Sequence, residues 1–151
     1  MKPLVSIIVP FYENIELLKK AIKSVLNQKF KNYELIIIND KKDILNISFL
    51  KKIKKKSKKI KIIYNSKNIG AGQSRNKAIN ISKGKYIAFL DSDDQWKKNK
   101  LSEQIKTMEN KKYLATHTSY KIVDLKNKNL SKRIAKNLDY IKLLKSCDIG
   151  L

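Results

Sequence analysis

The 151 residues are enough for one domain with a real core, and a hydrophobic content of 42% is that of a globular chain rather than a disordered one. A net charge of +22 would ordinarily suggest nucleic acid or an anionic membrane, yet only Arg75 and Arg133 of the 35 basic residues are arginine. Lysine without arginine forks or stacked aromatics argues against a sequence-reading nucleic-acid site; with Ile and Asn also abundant, most of the excess reads as compositional background of an A/T-rich coding sequence, and adhesion to an anionic membrane surface is the functional remainder.

Met1-Lys2-Pro3 runs straight into the first apolar segment without a signal peptide, and no run approaches the ~18 apolar residues of a spanning helix. The expectation is a soluble cytoplasmic protein, peripheral on the inner membrane surface if it adheres at all. Leu4 to Val9 is a β-branched run closed by Pro10, a buried first strand. From Ile15 to Gln28 the apolar residues Ile15, Leu18, Ile22, Val25 and Leu26 follow the helical period, with Asn14 placed to cap. Tyr33 to Ile38 predicts a second strand ending at Asn39-Asp40. Ile44 to Ser57 is a weaker helix, with Ile47, Leu50 and Ile53 inward, that enters a lysine-dense stretch. Eight of the eleven residues from Lys51 to Lys61 are Lys, which reads as a solvated helix end because no aromatic interrupts it. Ile60 to Tyr64 predicts a third strand, Gly72 to Ile81 a third helix, and Gly84 the turn into a fourth strand. Beyond Asp94, Leu101, Ile105 and Met108 mark a helix, Trp96 is expected to anchor that helix in the core, and Tyr113 to Val123 predicts a last strand that contains His117. The lone Cys147 excludes a disulfide framework and a cysteine metal site, and the single His117 gives a Ser/His/Asp relay no spacing to rest on.

Strand alternating with helix predicts an α/β fold, a mostly parallel open sheet with helices on both faces. Right-handed crossovers bring the ends at Pro10, Asp40, Tyr64 and Asp91 to one edge, where ligands of such sheets bind. The fourth strand, Tyr86 to Leu90, reads as buried and ends in Asp91-Ser92-Asp93-Asp94. Three ionised carboxylates so close repel unless a cation or donor neutralises them, and Mg²⁺ or Mn²⁺ suits carboxylate oxygen together with substrate phosphates. The plainer reading is a solvated acidic turn with Asp94 capping the next helix. At the same edge Asp40 can accept a hydrogen bond from a base ring N–H, Tyr12 can stack on the base, and Arg75 can pair with diphosphate oxygens or orient the acids. A nucleoside diphosphate bridged to Asp93 by a metal would suit it.

Four segments in order, Val5-Ser6-Ile7-Ile8-Val9-Pro10-Phe11-Tyr12, Leu35 to Asp40, Asn68 to Asn76 and Phe89 to Trp96, resemble the serial motifs of bacterial glycosyltransferase family 2. Weaker similarity continues through His117-Thr118-Ser119-Tyr120 and from Leu143 to Leu151, toward members that make cell-surface polysaccharide such as lipopolysaccharide or capsule. The resemblance implies a Rossmann-like GT-A fold, a nucleotide-sugar donor, usually a UDP-sugar, a glycan or lipid-linked acceptor, and Mn²⁺ or Mg²⁺ held by an Asp-x-Asp (DXD) motif. It implies donor-binding roles for Pro10, Tyr12, Glu13, Asp40, Asn68, Gly70, Arg75, Asp91 and Ser92, with Asp40 on uracil. Asp93, with Asp91, would hold the metal.

Lys41-Lys42-Asp43 stands where the family has Gly-Ser, and Glu13 intervenes between Tyr12 and Asn14. In inverting members the general base is an acid in a later segment, so it is expected beyond Leu151; neither Asp139 nor Asp148 has its context. The expectation is one domain over 1–151 that ends before the acceptor segment and forms the donor half of the enzyme. Two alternatives remain: a nucleotide-sugar-binding module or remnant that does not turn over, and a dinucleotide-binding oxidoreductase. The latter rests on Gly70-Ala71-Gly72 with Asp91 ~20 residues on, but has Arg75 at the third glycine position.

Overall fold

A computed structural model describes residues 2–41, 43–125 and 128–136. The elements, in chain order, are β1 Val5–Phe11, α1 Ile15–Leu26, β2 Tyr33–Asn39, α2 Ile44–Lys56, β3 Ile60–Tyr64, α3 Gly70–Ile81, β4 Tyr86–Phe89, α4 Lys100–Lys111, β5 Tyr120–Val123 and β6 Asn129–Arg133. They fall into two compact units, Met1–Glu103 and Gln104–Leu151.

In the first unit β1 to β4 form a parallel sheet in the order β3-β2-β1-β4. All seven residues of β1 and of β2 are buried, which is why both read as unbroken apolar runs rather than alternating ones. From β1 the chain steps outward through β2 to β3, then crosses back to place β4 on the other side of β1. Right-handed crossovers therefore put α1 and α2 on one face and α3 on the other. Ala78 of α3 packs with Ile8, Ile36 and Ile38, and Ile63 and Phe89 border them. Helix α1 turns Leu18, Ala21, Ile22 and Val25 inward, and the Asn14 side chain caps it by accepting from Leu17 N at 3.1 Å.

The reversal of strand order lies between β1 and β4, the place where an open sheet parts to form a crevice. Pro10 contributes to the parting. The Ile8 carbonyl accepts from Leu90 N, so residues of the parity of Ile8 point their peptide groups toward β4. Pro10 has that parity and no N–H, and the β1–β4 pairing has already ended at Ile8–Phe89.

Two expectations need correction here. Among the described residues β4 pairs only with β1, so it is an edge strand and only partly buried, with Ile87 37% exposed. A short apolar run does not distinguish an edge from a centre. The predicted strand from Tyr113 shrinks to β5, and residues 113–119, His117 included, precede it. Lys112, at φ 52°, ends α4, and Leu114 is 99% exposed, so no packing supports an extended pairing there. In the second unit β5 pairs antiparallel with β6, which the sequence did not announce, and Asp124 closes the connection by accepting from Lys128 N at 2.8 Å. His117 Nε2 donates to the Lys136 carbonyl at 3.0 Å, a structural contact. Cys147, Asp139, Asp148 and the segment 143–151 lie outside the described residues.

Candidate functional site

At the carboxyl edge of the sheet a cleft of about 240 Å³ is lined by Pro10, Phe11, Tyr12, Asp40, Ala71, Arg75, Asp91, Ser92 and Asp93. Seven of these are residues singled out from sequence. Phe11 and Ala71 are additions, and Glu13, Asn68 and Gly70 stand outside the lining. Glu13 is exposed, 3.9 Å from Lys41 Nζ, and the same ammonium lies 5.5 Å from the centre of the Tyr12 ring. Asn68 Oδ1 accepts from Gly70 N at 2.9 Å, which places both residues in the turn that starts α3.

Asp40 is 4% exposed and already engaged. Its Oδ1 accepts from Asn65 Nδ2 at 2.8 Å and from Ile69 N at 3.0 Å, and its Oδ2 accepts from Gly70 N at 2.8 Å. The N-cap residue Ile69 has no capping side chain, so this distant carboxylate, together with Asn68 on Gly70 N, satisfies the backbone donors at the start of α3. Oδ2 keeps acceptor capacity toward the cleft. The same bonds engage the Gly70 N–H that a dinucleotide motif would offer to a pyrophosphate. Asn65 had no sequence signal, and Ser74 lay within the Asn68 to Asn76 motif without a role: Asn65 Nδ2 also bonds Ser74 Oγ at 3.0 Å, and Asn65 Oδ1 accepts from Lys77 Nζ at 2.8 Å. Both are buried, and they matter only because folding stacks Asn65 between Asp40 and α3.

In the same lining Arg75 Nη2 donates to Asp91 Oδ1 at 2.6 Å, a pair with side chains 19% and 33% exposed. Arg75 Nε is buried without a partner, a state that costs about 1–3 kcal/mol until an acceptor arrives. A turn closed by Asp94 N on the Asp91 carbonyl at 3.1 Å gathers the three acids. Desolvation first, then the charges of Asp93 and Asp91, push the Asp94 carboxyl above its ordinary value. The turn therefore holds three acids against the one guanidinium that pairs with Asp91. Among the described residues no three His, Cys, Asp or Glu side chains converge to hold an ion alone. The donors present, hard carboxylate oxygens of Asp93 and Asp91 beside an orphaned N–H, fit a divalent cation whose remaining ligands come from a phosphorylated substrate.

The segment that follows the acidic turn is held by Ser24 of α1 and by Gln28 just beyond that helix. Buried Gln28 donates through Nε2 to the Lys97 carbonyl at 2.8 Å and accepts from Leu101 N at 3.1 Å, while Ser24 Oγ accepts from Trp96 N at 3.0 Å. Trp96 is only partly buried, with Lys100 Nζ 5.1 Å from its ring centre. Burial pushes the Lys100 ammonium down to about 8. The unfolded chain, with a lysine near ~10.4, then binds more protons than the folded one between those values, so stability rises with pH across that window. A gain on the order of 1–2 kcal/mol from pH 8 to 9.5 is expected in urea titrations, and Lys100→Met should remove most of that slope.

Residues 6–148 match the family model for glycosyl transferase family 2. The chain belongs to that family. It is 36% identical over 151 residues to the putative teichuronic acid biosynthesis glycosyltransferase TuaG of Bacillus subtilis, an alignment covering 99% of this chain and 60% of TuaG. It is 37% identical over 148 residues to WfgD of Escherichia coli, described as a UDP-Glc:alpha-D-GlcNAc-diphosphoundecaprenol beta-1,3-glucosyltransferase, across 97% of this chain and 57% of WfgD. The chain thus spans less than two thirds of the length of these relatives. Residues 1–349 of S. aureus TarS in complex with UDP superpose with a TM-score of 0.64 at 26% identity, over 73% of this chain and 32% of that one. The α/β architecture expected from sequence is therefore the GT-A fold of family 2 glycosyltransferases.

Proposed function

We propose that the cleft binds a UDP-sugar together with Mn²⁺ or Mg²⁺ and that the protein takes part in transferring the sugar to a lipid-linked glycan at a membrane. The observation that carries this is one cleft in which the two carboxylates of Asp91 and Asp93 face a single guanidinium, Arg75, that pairs with Asp91 and keeps an orphaned Nε–H. A metal diphosphate complements both, offering a cation to the acids and an oxygen to the guanidinium. The UDP bound by TarS and the undecaprenol diphosphate acceptor in the name of WfgD support the donor and acceptor classes.

In the reaction an acceptor hydroxyl oxygen bonds to the anomeric carbon as the bond from that carbon to the diphosphate breaks, and the diphosphate leaves with the electron pair. A base takes the hydroxyl proton. A bound divalent cation supplies stabilisation of charge on the leaving oxygens. Arg75 adds a preorganised donor, held in place by Asp91, and Asp93 holds the cation side of the diphosphate. Tyr12, at the rim and 44% exposed, offers a flat surface to the uracil, and the free capacity of Asp40 Oδ2 can accept the uracil N3–H.

Isothermal titration of UDP into the chain with and without Mn²⁺ tests the donor site. Metal-dependent binding that Asp93→Ala weakens by at least ~10–100-fold is expected, with GDP binding poorly. A folded sample that ignores millimolar UDP, or binds it equally well after Asp93→Ala, would overturn the reading. Metal-dependent UDP binding without sugar transfer would favour the binding module.

A further inference from the structure

Helix α2 carries no acidic residue, whereas α1 contains Glu16 and α4 contains Glu103 and Glu109. It buries Asn46 and Leu50, so the side facing away from the core is defined. At 3.6 residues per turn, Ile44, Leu45, Lys51, Lys52, Lys55 and Lys56 fall on that outward side, and every one is exposed. Ile44 is 85% exposed and Leu45 71%, adjacent aliphatics projecting from the first turn. A solvated lysine helix accounts for the cations alone. It does not account for two bulky aliphatics at the head of the same stripe, an arrangement suited to the boundary between acyl chains and anionic headgroups.

The stripe is also tied to the cleft. A helix that follows a parallel strand starts at the carboxyl edge of the sheet, and Asn46 Nδ2 of the first turn donates to the Tyr12 carbonyl at 3.0 Å. The apolar pair therefore sits at the edge where the cleft opens, and the lysines run away from it along the helix.

We propose that this face of α2 docks on an anionic phospholipid bilayer, with Ile44 and Leu45 inserted at the acyl boundary and Lys51, Lys52, Lys55 and Lys56 on the headgroup phosphates. The partner is chosen by charge: a cationic stripe without acids, on a chain of net charge +22, complements a negative surface. Docking there would hold the cleft edge beside the membrane in which a lipid-linked acceptor resides. That consequence rests on the proposed function, whereas the docking does not.

The test is sedimentation of the 151-residue chain with vesicles of phosphatidylglycerol and phosphatidylcholine, or of phosphatidylcholine alone, at 0.15 M salt. Substituting Lys51, Lys52, Lys55 and Lys56 by Gln is expected to weaken binding to the anionic vesicles by ~100-fold or more. Ile44→Ser with Leu45→Ser leaves the charge unchanged and should weaken it about tenfold, with the remaining binding more sensitive to salt. A charge-matched control replaces exposed Lys2, Lys83, Lys97 and Lys98 by Gln and should cost less than about fivefold. Equal losses in the two lysine sets would overturn the proposal and leave diffuse charge as the cause. Binding to a short DNA duplex that needs the α2 lysines, with vesicle binding that does not, would overturn it in favour of nucleic acid. UDP titration of each variant separates the two readings, because these six side chains lie outside the cleft. Vesicle binding that depends on α2 without UDP binding would defeat the donor site alone, and the converse would defeat docking alone.

Discussion

Gly84→Ala is expected to destabilise the chain by about 3 kcal/mol, the upper end for an overpacked site, and to lower the yield of folded protein. A Cβ at Gly84 would stand 2.5 Å from Ser6 N and 2.8 Å from the Val5 carbonyl carbon, both backbone atoms of β1. No rotamer change relieves that overlap. The turn must instead move off the amino end of β1, where Gly84 N donates to Ser6 Oγ at 2.9 Å and Ser6 Oγ donates to Glu34 Oε1 at 2.6 Å. Glu34 also accepts from Lys83 N at 2.7 Å and pairs with Lys61 Nζ at 2.6 Å. Burial pushes the Glu34 carboxyl up, but Lys61, Ser6 and Lys83 more than offset this and leave it below its ordinary value. Displacing the turn would thus disturb a buried anion as well as a strand. Alanine also restricts the unfolded chain, which works in the other direction by only about 0.4–1 kcal/mol, so the clash decides the sign. Gly72→Ala is the internal comparison: in α3 its Cβ would meet nothing within 4 Å, and it should stabilise by ~0.5–1 kcal/mol. Urea midpoints for the two variants, with matching slopes, check the contrast.

Asp40→Ala should cost about 3 kcal/mol and abolish UDP binding. Removing the carboxylate strips the acceptor from Ile69 N, leaves Gly70 N with Asn68 Oδ1 alone, and takes one of the two acceptors from Asn65 Nδ2. An unsatisfied buried donor costs about 1–3 kcal/mol, and water can reach some of the vacated space, so the sum stays well below the maximum. The functional loss exceeds what one base contact would explain, because the carboxylate sets the start of α3 and hence the helix that carries Arg75. Hydrogen exchange at the Ile69 and Gly70 amides should accelerate in the folded variant. Asp40→Asn, which can keep an acceptor for Oδ1's partners but opposes an N–H to Gly70 N, should fall between wild type and Ala in stability. An unchanged urea midpoint in Asp40→Ala would mean that the α3 turn does not depend on this carboxylate.

Local chemistry carried most of the first unit. Unbroken apolar runs indicated strands, which in β1 and β2 are buried along their whole length, and the 3.6-residue period with Asn14 in front indicated α1. Alternation of strand and helix then implied a parallel sheet, and a parallel sheet sends every strand end to one edge. Pro10, Tyr12, Asp40, Arg75, Asp91, Ser92 and Asp93 line one cleft for that reason, although they span more than 80 residues of chain.

Other features depend on distances that no local pattern encodes. That β4 lies at an edge is a matter of what else pairs with it, and that Asp40 caps α3 depends on β2 and β3 bringing Asn65 beneath it. Gly84 reads as a turn residue in the sequence, but its requirement is the approach of β1, 78 residues away. Composition likewise presents the lysines as one undifferentiated excess. Only the burial of Asn46 and Leu50 turns one side of α2 inward and aligns Ile44 and Leu45 with four lysines on the other. Residue type and spacing suffice where the governing interaction is with near neighbours along the chain, as in helix periods, caps and strand runs. Where it is a contact between elements, the identity of the partner is a property of the folded sheet and appears only once the strands have taken their order.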